Sequence, residues 1–266
     1  MFKRIAGAVA LTMAAAVPAG AQTAKPLKVL IVSGGCCHNY AAQRDILETG
    51  LKSRIGAEVT HAYYDPKPGE QATRPKLPIH GNPGYADGYD VVVHNECAAD
   101  ENDQAVLEAV LAPHRRGVPA VNLHCAMHSY RSGAWQQPVK AGDGNAKWFE
   151  FTGIQSSGHG AQSPIQLAVA GEHPIAKGFV PFTTTSDELY NNLADFGVTP
   201  VLTGVQPQAG DAADRAKRYT VAWTHLYGPQ RTRVFGMTLA HNESVMADSR
   251  YLDLVARGVL WATGRL

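Results

Sequence analysis

The chain has 266 residues, of which 45% are hydrophobic and 18% are charged, an ordinary composition for a globular protein with a full core. Its 24 basic and 23 acidic residues give a net charge of +1, and the basic residues form no run. A near-neutral chain of this kind is a poor binder of nucleic acids and anionic membrane surfaces, so we expect neither as a partner.

The first 21 residues have the pattern of a secretory signal peptide. Lys3 and Arg4 precede an apolar run over residues 5–17, and an Ala-Gly-Ala cleavage motif stands directly before Gln22. The apolar run is too short for a stable membrane span, and no later stretch of the sequence approaches a spanning length. We therefore predict export to the periplasm or the cell exterior. An uncleaved N-terminal anchor is the alternative.

The chain from residue 22 to residue 266 is predicted to form a single domain, and its first half alternates between apolar strands and helices. The predicted strands cover residues 28–33, 58–63, 89–94 and 118–123, and the predicted helices cover residues 41–54 and 103–115. Uniformly apolar strands that alternate with helices indicate a parallel sheet covered on both faces. The sequence thus predicts an α/β fold with a doubly wound, mostly parallel sheet.

The second half of the chain is less regular. A long segment rich in proline and glycine, residues 64–88, precedes the third strand and is predicted to be a functional or mobile loop. Further strands are predicted over residues 165–169, 199–203, 219–224 and 233–239, and a closing helix is predicted over residues 249–262. Gly264 follows this helix as a stop signal.

Histidines and other polar residues follow several of the predicted strands. In an open parallel sheet, ligands bind outside the carboxyl ends of the strands, so these residues are predicted to gather at one edge. Histidine is the side chain best suited to proton transfer near neutral pH and to metal ligation. The residues at this edge are His38, His94, Asn95, Glu96, His124, His128, His225, Tyr227 and His241.

We predict that His38, His124 and His241 are catalytic, and the same three are the candidates for a bound divalent metal. His124 and His128 could ligate one ion if a helix begins at His124. Other polar and aromatic residues are predicted to bind the substrate, although core packing is the alternative for an isolated tryptophan. These substrate-binding candidates are His94, Asn95, Glu96, His128, His159, Asp187, Glu188, Tyr190, Trp223, His225 and Tyr227.

All four cysteines, Cys36, Cys37, Cys97 and Cys125, also fall at this edge. Four cysteines allow three pairings, and the sequence does not choose among them. A bond between the neighbours Cys36 and Cys37 would strain the peptide between them, so a bond from either to Cys97 is expected to form more easily. The cysteine spacing fits no zinc-knuckle pattern. Gly34 and Gly35 lack the spacing of a dinucleotide fingerprint, so no nucleotide cofactor is expected.

Several short motifs, in their order along nearly the whole chain, resemble those of the ThuA-like family, which is named for trehalose utilisation. The motifs are His124-Cys125-Ala126, Trp148-Phe149, His159, Gly171-Glu172-His173-Pro174-Ile175, Asp187-Glu188-Leu189-Tyr190, Val221-Ala222-Trp223 and the segment from Arg233 to His241. The resemblance implies a flavodoxin-type sheet like that of the class I glutamine amidotransferases. It also implies a role in sugar metabolism, on keto-sugars or glycosides. The sequence departs from the family in having Ala240 where a glycine usually precedes the final histidine.

The amidotransferase relatives place a nucleophilic cysteine at a tight turn between a strand and a helix. Such a turn requires small residues two positions before and after its tip. Around Cys125 those positions are the bulky Leu123 and Met127, whereas Asn122 and Ala126 flank His124. We therefore predict that His124, and not Cys125, occupies the tip of the turn.

The leading hypothesis is an exported enzyme that acts on a keto-sugar or glycoside by proton transfer, as an isomerase, hydratase or lyase-type hydrolase. The alternative is a non-catalytic periplasmic carbohydrate-binding protein. A third reading, a thiol or redox protein, would require Cys36 and Cys37 to react in the folded state.

Overall fold

The computed structural model describes residues 25–266, and the predicted signal peptide, residues 1–21, lies outside the described residues. The strands are β1 Lys28–Gly35, β2 Glu58–Tyr64, β3 Val91–Cys97, β4 Ala120–Leu123, β5 Ile154–Gln155, β6 Gln166–Val169, β7 Ala194–Asp195, β8 Thr199–Val205, β9 Arg218–Tyr227 and β10 Thr232–Met237. The helices are α1 Tyr40–Ile55, α2 Gln104–Arg115, α3 Lys147–Thr152, α4 Ala212–Ala216, α5 Glu243–Met246 and α6 Ser249–Ala262. Short 3-10 turns cover His124–His128 and Pro174–Ala176.

Eight of these strands form one sheet in the order β2-β1-β3-β4-β10-β9-β8-β6. The five strands from β2 to β10 run parallel, and the remaining three pair in antiparallel fashion. Strands β5 and β7 form a separate antiparallel pair. The predicted α/β fold with a doubly wound, mostly parallel sheet is confirmed.

The side chains of β1 point alternately to the two faces of the sheet, and each face packs against a separate hydrophobic core. Val29 and Ile31 pack into the core that contains residues of α1 and α6, whereas Leu30 and Val32 pack into the core that contains residues of α2 and α3. Successive side chains of a strand point to opposite faces, so a uniformly apolar strand is buried on both. Each such buried side chain stabilises the fold by about 1.5–3 kcal/mol.

Close approach of α6 to the sheet depends on a glycine. A Cβ at Gly258 would lie 2.3 Å from the ring of Phe235 on β10, so a larger residue would push this helix away. The amphipathic helix α6 then covers β10 and β4. Among residues 25–266, no helix is both long enough and apolar enough to cross a membrane.

Local sequence signals set the start of α1, directly after the first polar loop. The Asn39 side chain accepts a hydrogen bond from the backbone N–H of Ala42, as an N-cap does, and Gly56 ends the helix in a left-handed conformation. His38 therefore stands between the carboxyl end of β1 and the first turn of α1. This placement holds it at the edge where ligands bind in sheets of this type.

Candidate active site

Three histidines from distant parts of the sequence meet at the carboxyl edge of the sheet. His38 follows β1, His124 follows β4 and His241 follows β10, and these three strands are parallel. His38 Nε2 lies 3.0 Å from His241 Nδ1, and the rings of His38 and His124 are 4.8 Å apart. The predicted convergence of the three side chains is confirmed, and their catalytic role stays a prediction.

The carboxylate of Glu188 lies among these histidines. Glu188 Oε1 is 3.1 Å from His241 Nδ1, and Oε2 is 3.6 Å from His124 Nε2 and 3.4 Å from His159 Nε2. One ligand atom from each of His38, His124, Glu188 and His241 lies within 4.8 Å of the others. We call these four residues the histidine centre.

His124 occupies the tip of a tight turn, as the steric argument predicts. It follows the last residue of β4 directly and has a φ angle of +43°, in the left-handed region that non-glycine residues rarely adopt. Its Nδ1 lies 2.6 Å from the carbonyl oxygen of Thr238. Since a carbonyl only accepts, Nδ1 carries a proton, and Nε2 faces the Tyr190 hydroxyl, which is 3.3 Å away, with Glu188 Oε2 at 3.6 Å.

Asp187 fixes the loop that carries His241. The Asp187 carboxylate accepts hydrogen bonds from the backbone N–H groups of Ala240 at 2.8 Å, His241 at 2.9 Å and Glu188 at 2.9 Å. Ala240 has a φ angle of +83°, which accounts for the glycine usual in the family at this position. Asp187 thus orients two members of the histidine centre without touching a ligand site itself.

Burial and neighbouring charges set the protonation of the centre. Burial, followed by the positive charges of His124 and His241, lowers the pKa of His38 to about 3. Burial raises the pKa of Glu188, but its contact with His124 and the charges of the surrounding histidines outweigh burial and bring that pKa to about 2. Near neutral pH the centre therefore contains a neutral imidazole beside an ionised carboxylate.

The donor set of the centre fits a divalent metal ion. Three imidazole nitrogens and one carboxylate oxygen are ligands that zinc takes in proteins. A metal-binding histidine usually donates its other N–H to a carbonyl or carboxylate, and the bond between His124 and Thr238 has that form.

Two residues that no sequence motif indicated also contact the centre. The hydroxyl of Tyr40 is 3.1 Å from His38 Nδ1, and the amide nitrogen of Gln162 is 2.8 Å from His241 Nε2 and 3.4 Å from Glu188 Oε1. Rotation of the Gln162 amide exchanges a donor for an acceptor, so this residue can support either tautomer of His241. Tyr40 is the first residue of α1, and Gln162 lies in an irregular segment that carries no periodic signal.

His128, His159 and Tyr190 form a stack beside the centre. The rings of His128 and Tyr190 are 4.1 Å apart and nearly parallel, and the ring of His159 lies 5.5 Å from that of Tyr190. His128 is buried and its Nε2 contacts the Ser156 hydroxyl at 2.9 Å. The segment from His124 to His128 is a 3-10 turn, whose three-residue period does not align positions four apart, so His128 is not part of the centre.

His94, Asn95 and Glu96 do not reach the ligand edge, because β3 extends three residues beyond its predicted end and contains them. His94 and Glu96 are fully buried, and His94 contacts Glu96 Oε1 at 2.8 Å and His114 Nε2 at 3.0 Å. They are predicted to contact substrate, but the structure places them in a buried polar network instead. Asn95 is buried as well and donates to the side-chain oxygen of Gln43.

His225 and Tyr227 are misplaced by the prediction, because β9 runs antiparallel to β10 and its carboxyl end lies at the opposite edge of the sheet. His225 Nε2 contacts the Glu150 carbonyl at 2.9 Å, and the Tyr227 hydroxyl accepts from Arg115. Trp223 is fully buried and donates to the Thr152 carbonyl, as core packing requires. The apolar pattern of a strand does not encode its direction, so the sequence could not reveal this reversal.

The cysteines pair as Cys36–Cys37 and Cys97–Cys125, so the expectation of a bond from the first pair to Cys97 is wrong. Cys37 has a φ angle of +82°, and this turn brings the two neighbouring side chains together. The two disulfides touch, with Cys36 Sγ 3.6 Å from Cys97 Sγ. They lie directly beside the histidine centre, because Cys37 precedes His38 and Cys125 follows His124.

Comparison with known proteins agrees with this architecture. The family model described as trehalose utilisation, ThuA, matches residues 28–262. A ThuA-like protein from Parabacteroides merdae is similar in structure, with a TM-score of 0.63 at 18% identity over 90% of each chain. A ThuA-like protein from Bacteroides uniformis gives a TM-score of 0.61 at 14% identity over 93% of this chain and 95% of that one. No significant match was found among curated proteins.

Proposed function

The chain belongs to the ThuA, or trehalose utilisation, family, and on that premise we propose that it is an enzyme that acts on keto-sugars or glycosides by histidine-based proton transfer. The observation that carries the proposal is the convergence of His38, His124, His241 and Glu188 within 4.8 Å. Histidine nitrogens beside an ionised carboxylate form a set of groups suited to proton transfer near neutral pH.

The proton transfer is assigned to His124. Its Nε2 lone pair is available because Nδ1 donates to the Thr238 carbonyl, and that same bond fixes the plane of the ring. A proton next to a sugar carbonyl would move to this nitrogen, and the carbonyl oxygen would gain negative charge.

The four residues of the histidine centre would alternatively hold a divalent metal ion, which when bound would occupy the Nε2 lone pair of His124 and polarise a carbonyl oxygen of the substrate. Asp187 supports both roles because it fixes the backbone of His241 and Glu188.

A cavity next to the centre supports a small polar substrate. It has a volume of about 330 Å³, and its lining includes His159, Asn191, Gln206, Lys217 and Tyr219. Amide, ammonium and phenol groups offer hydrogen bonds to sugar hydroxyls, and the tyrosine ring offers an apolar face. A monosaccharide ring is the class of ligand that this lining favours.

The proposal is tested by turnover of a panel of 3-keto-glycosides, followed by NMR. His124→Ala and His241→Ala should each lower kcat/KM by about 100-fold or more, the effect of losing a general base. His61→Ala is the matched control, since His61 also contacts a glutamate, Glu48 at 2.7 Å, but lies outside the centre. Turnover that survives both changes would overturn the proposal. Sugar binding without product in the wild type would favour a carbohydrate-binding protein.

We also propose that residues 1–21 direct export and are then removed. Protein recovered from the periplasm or medium of a bacterial host should begin near Gln22 when its N-terminus is sequenced. Protein that stays in the cytoplasm with residues 1–21 attached would contradict this proposal.

A further inference from the structure

Arg131 is a partly buried cation that makes no ion pair among residues 25–266, although the charge of Asp100 acts on it. Its Nε is buried without a hydrogen-bond partner, and none of the carboxylates in residues 25–266 forms an ion pair with it. Other arginines are paired, such as Arg54 with Asp253 and Arg115 with Glu108. Since buried polar groups are almost always hydrogen-bonded, the unpaired guanidinium of Arg131 requires an explanation.

The guanidinium of Arg131 is held in place by an aromatic ring. Its Cζ atom lies 3.8 Å from the centroid of the Trp135 ring, as in a cation–π contact. A face covered in this way leaves the N–H groups at the edge of the guanidinium free to donate. Burial lowers the pKa of Arg131, which reflects the cost of holding this charge without a partner.

Arg131 lines a polar cavity of about 340 Å³ whose lining also includes Arg74, Asp100, Asn102, Ser132 and Trp135. Arg74 is already occupied, because it donates to the Asp100 carbonyl at 2.7 Å and to the Asn102 side chain at 2.6 Å. Arg131 is therefore the cation of this cavity that has a buried donor without a partner. The carboxylate of Asp100 borders the same cavity and disfavours a doubly charged ligand, so the ligand charge that fits is a single negative one.

The cavity lies next to the stack that flanks the histidine centre. After burial, the positive charge of Arg131 is the largest cause that lowers the pKa of His128, and the same charge acts on Tyr190. His128 packs on Tyr190, and Tyr190 contacts His124. The charge of Arg131 is thus coupled to the stack beside the histidine centre.

We propose that Arg131 binds the carboxylate of an acidic sugar derivative, of the uronic or aldonic acid class, in this cavity. The planar fork of arginine matches the two oxygens of a carboxylate, whereas lysine offers a point charge. The identity of the ligand as a sugar rests on the proposed function; the recognition of a carboxylate rests on Arg131 alone.

The test is calorimetric titration of D-glucuronate and of D-glucose into the full protein. The wild type should bind glucuronate at least about tenfold more tightly than glucose, the value of one charge-assisted hydrogen bond. Arg131→Gln should weaken glucuronate binding by at least about tenfold and leave glucose binding unchanged. Arg131→Lys should retain part of the preference, because it keeps the charge but not the fork. Arg218→Gln, an exposed arginine that bonds Thr203 on β8, is the matched control.

Equal affinity of the wild type for both sugars, absence of glucuronate binding, or an Arg131→Gln variant that keeps the preference would each overturn the assignment. Arg131→Lys serves as the test variant if Arg131→Gln does not fold. The proposed function fails separately, through the His124→Ala variant. That variant should bind glucuronate as the wild type does while it loses turnover, so a failure of catalysis and a failure of carboxylate recognition give different results.

Discussion

Asp187 Oδ1 accepts a hydrogen bond of 2.9 Å from the backbone N–H of His241, and Oδ2 accepts one of 2.8 Å from that of Ala240. The Asp187 side chain is fully buried, and a third backbone N–H, from Glu188, also donates to it. One carboxylate therefore joins the loop after β10 to the segment that carries Glu188, and it sets the distance between two members of the histidine centre.

Asp187→Asn should destabilise the protein by about 2–3 kcal/mol, because an amide nitrogen would face a backbone donor in place of an accepting oxygen. Urea unfolding measures this loss. Asp195→Asn is the matched control, since Asp195 also accepts from two backbone N–H groups, of Gly197 and Val198, but is exposed. The control should lose less than about 1 kcal/mol. Equal losses in both variants would show that Asp187 has no special role.

Zinc should bind to the histidine centre with a stoichiometry of one. Glu188→Gln keeps the size of the side chain but removes the anionic ligand, so calorimetric titration should show at least about tenfold weaker zinc binding. Glu48→Gln, which changes the carboxylate beside His61, should bind zinc as the wild type does. Binding that Glu188→Gln leaves unchanged would place any zinc elsewhere.

The buried His114 should make the protein less stable in mild acid. Burial, followed by the positive charge of His94, lowers the pKa of His114 to about 3 from the ordinary value of 6.5. The unfolded chain therefore takes up a proton below pH 6.5 that the folded protein takes up only near pH 3. The contribution of His114 to the free energy of unfolding is fully present above pH 6.5. It falls as the pH is lowered from 6.5 toward 3, and about 2 kcal/mol is lost at pH 5.

The variant His114→Gln cannot titrate but can still donate to the Val118 carbonyl, which His114 Nδ1 contacts at 2.8 Å. Its free energy of unfolding should drop about 2 kcal/mol less between pH 7 and pH 5 than that of the wild type, as measured by urea unfolding. An identical drop in the two proteins would show that His114 is protonated in the folded state at pH 5.

Removal of Cys37 should rearrange the disulfides. In Cys37→Ser the freed thiol of Cys36 lies 3.6 Å from Cys97 Sγ, so its thiolate can attack that sulfur and form a Cys36–Cys97 bond. Cys125 leaves as the thiolate, and the number of disulfides in the reaction does not change. Peptide mapping after alkylation should find Cys125 labelled, whereas the wild type should show Cys36–Cys37 and Cys97–Cys125 with no label. Label on Cys36 of the variant, with Cys97–Cys125 intact, would contradict the exchange.

The sequence predicts the parallel part of the fold well because buried strands leave a clear pattern. Strand β1 and helix α6 lie where apolar runs and helical spacing place them. The sequence predicts that the histidines after β1, β4 and β10 lie close together, because parallel strands end at the same edge of a sheet. The sequence does not reveal the antiparallel direction of β9, and the predicted positions of His225 and Tyr227 are wrong for that reason.

Side chains that come from irregular segments were harder to place. Glu188 was expected to bind substrate, whereas the structure puts it among the three histidines. Gln162 was not anticipated, because its role depends on a loop conformation that no periodicity encodes. Asp187 is predicted to bind substrate, whereas in the structure its carboxylate accepts hydrogen bonds from three backbone N–H groups. Such roles depend on three-dimensional contacts between segments far apart in the chain.

The central claim, that the histidine centre moves a proton next to a sugar carbonyl, is tested most directly by hydrogen exchange. A 3-keto-glycoside is incubated in D₂O with the wild type, with His124→Ala and with the control His61→Ala, and deuterium at the carbons beside the carbonyl is followed by NMR. We predict incorporation well above the uncatalysed rate with the wild type and the control, and a loss of about 100-fold or more with His124→Ala. Incorporation by His124→Ala at the wild-type rate, or none above background with the wild type, would contradict the claim.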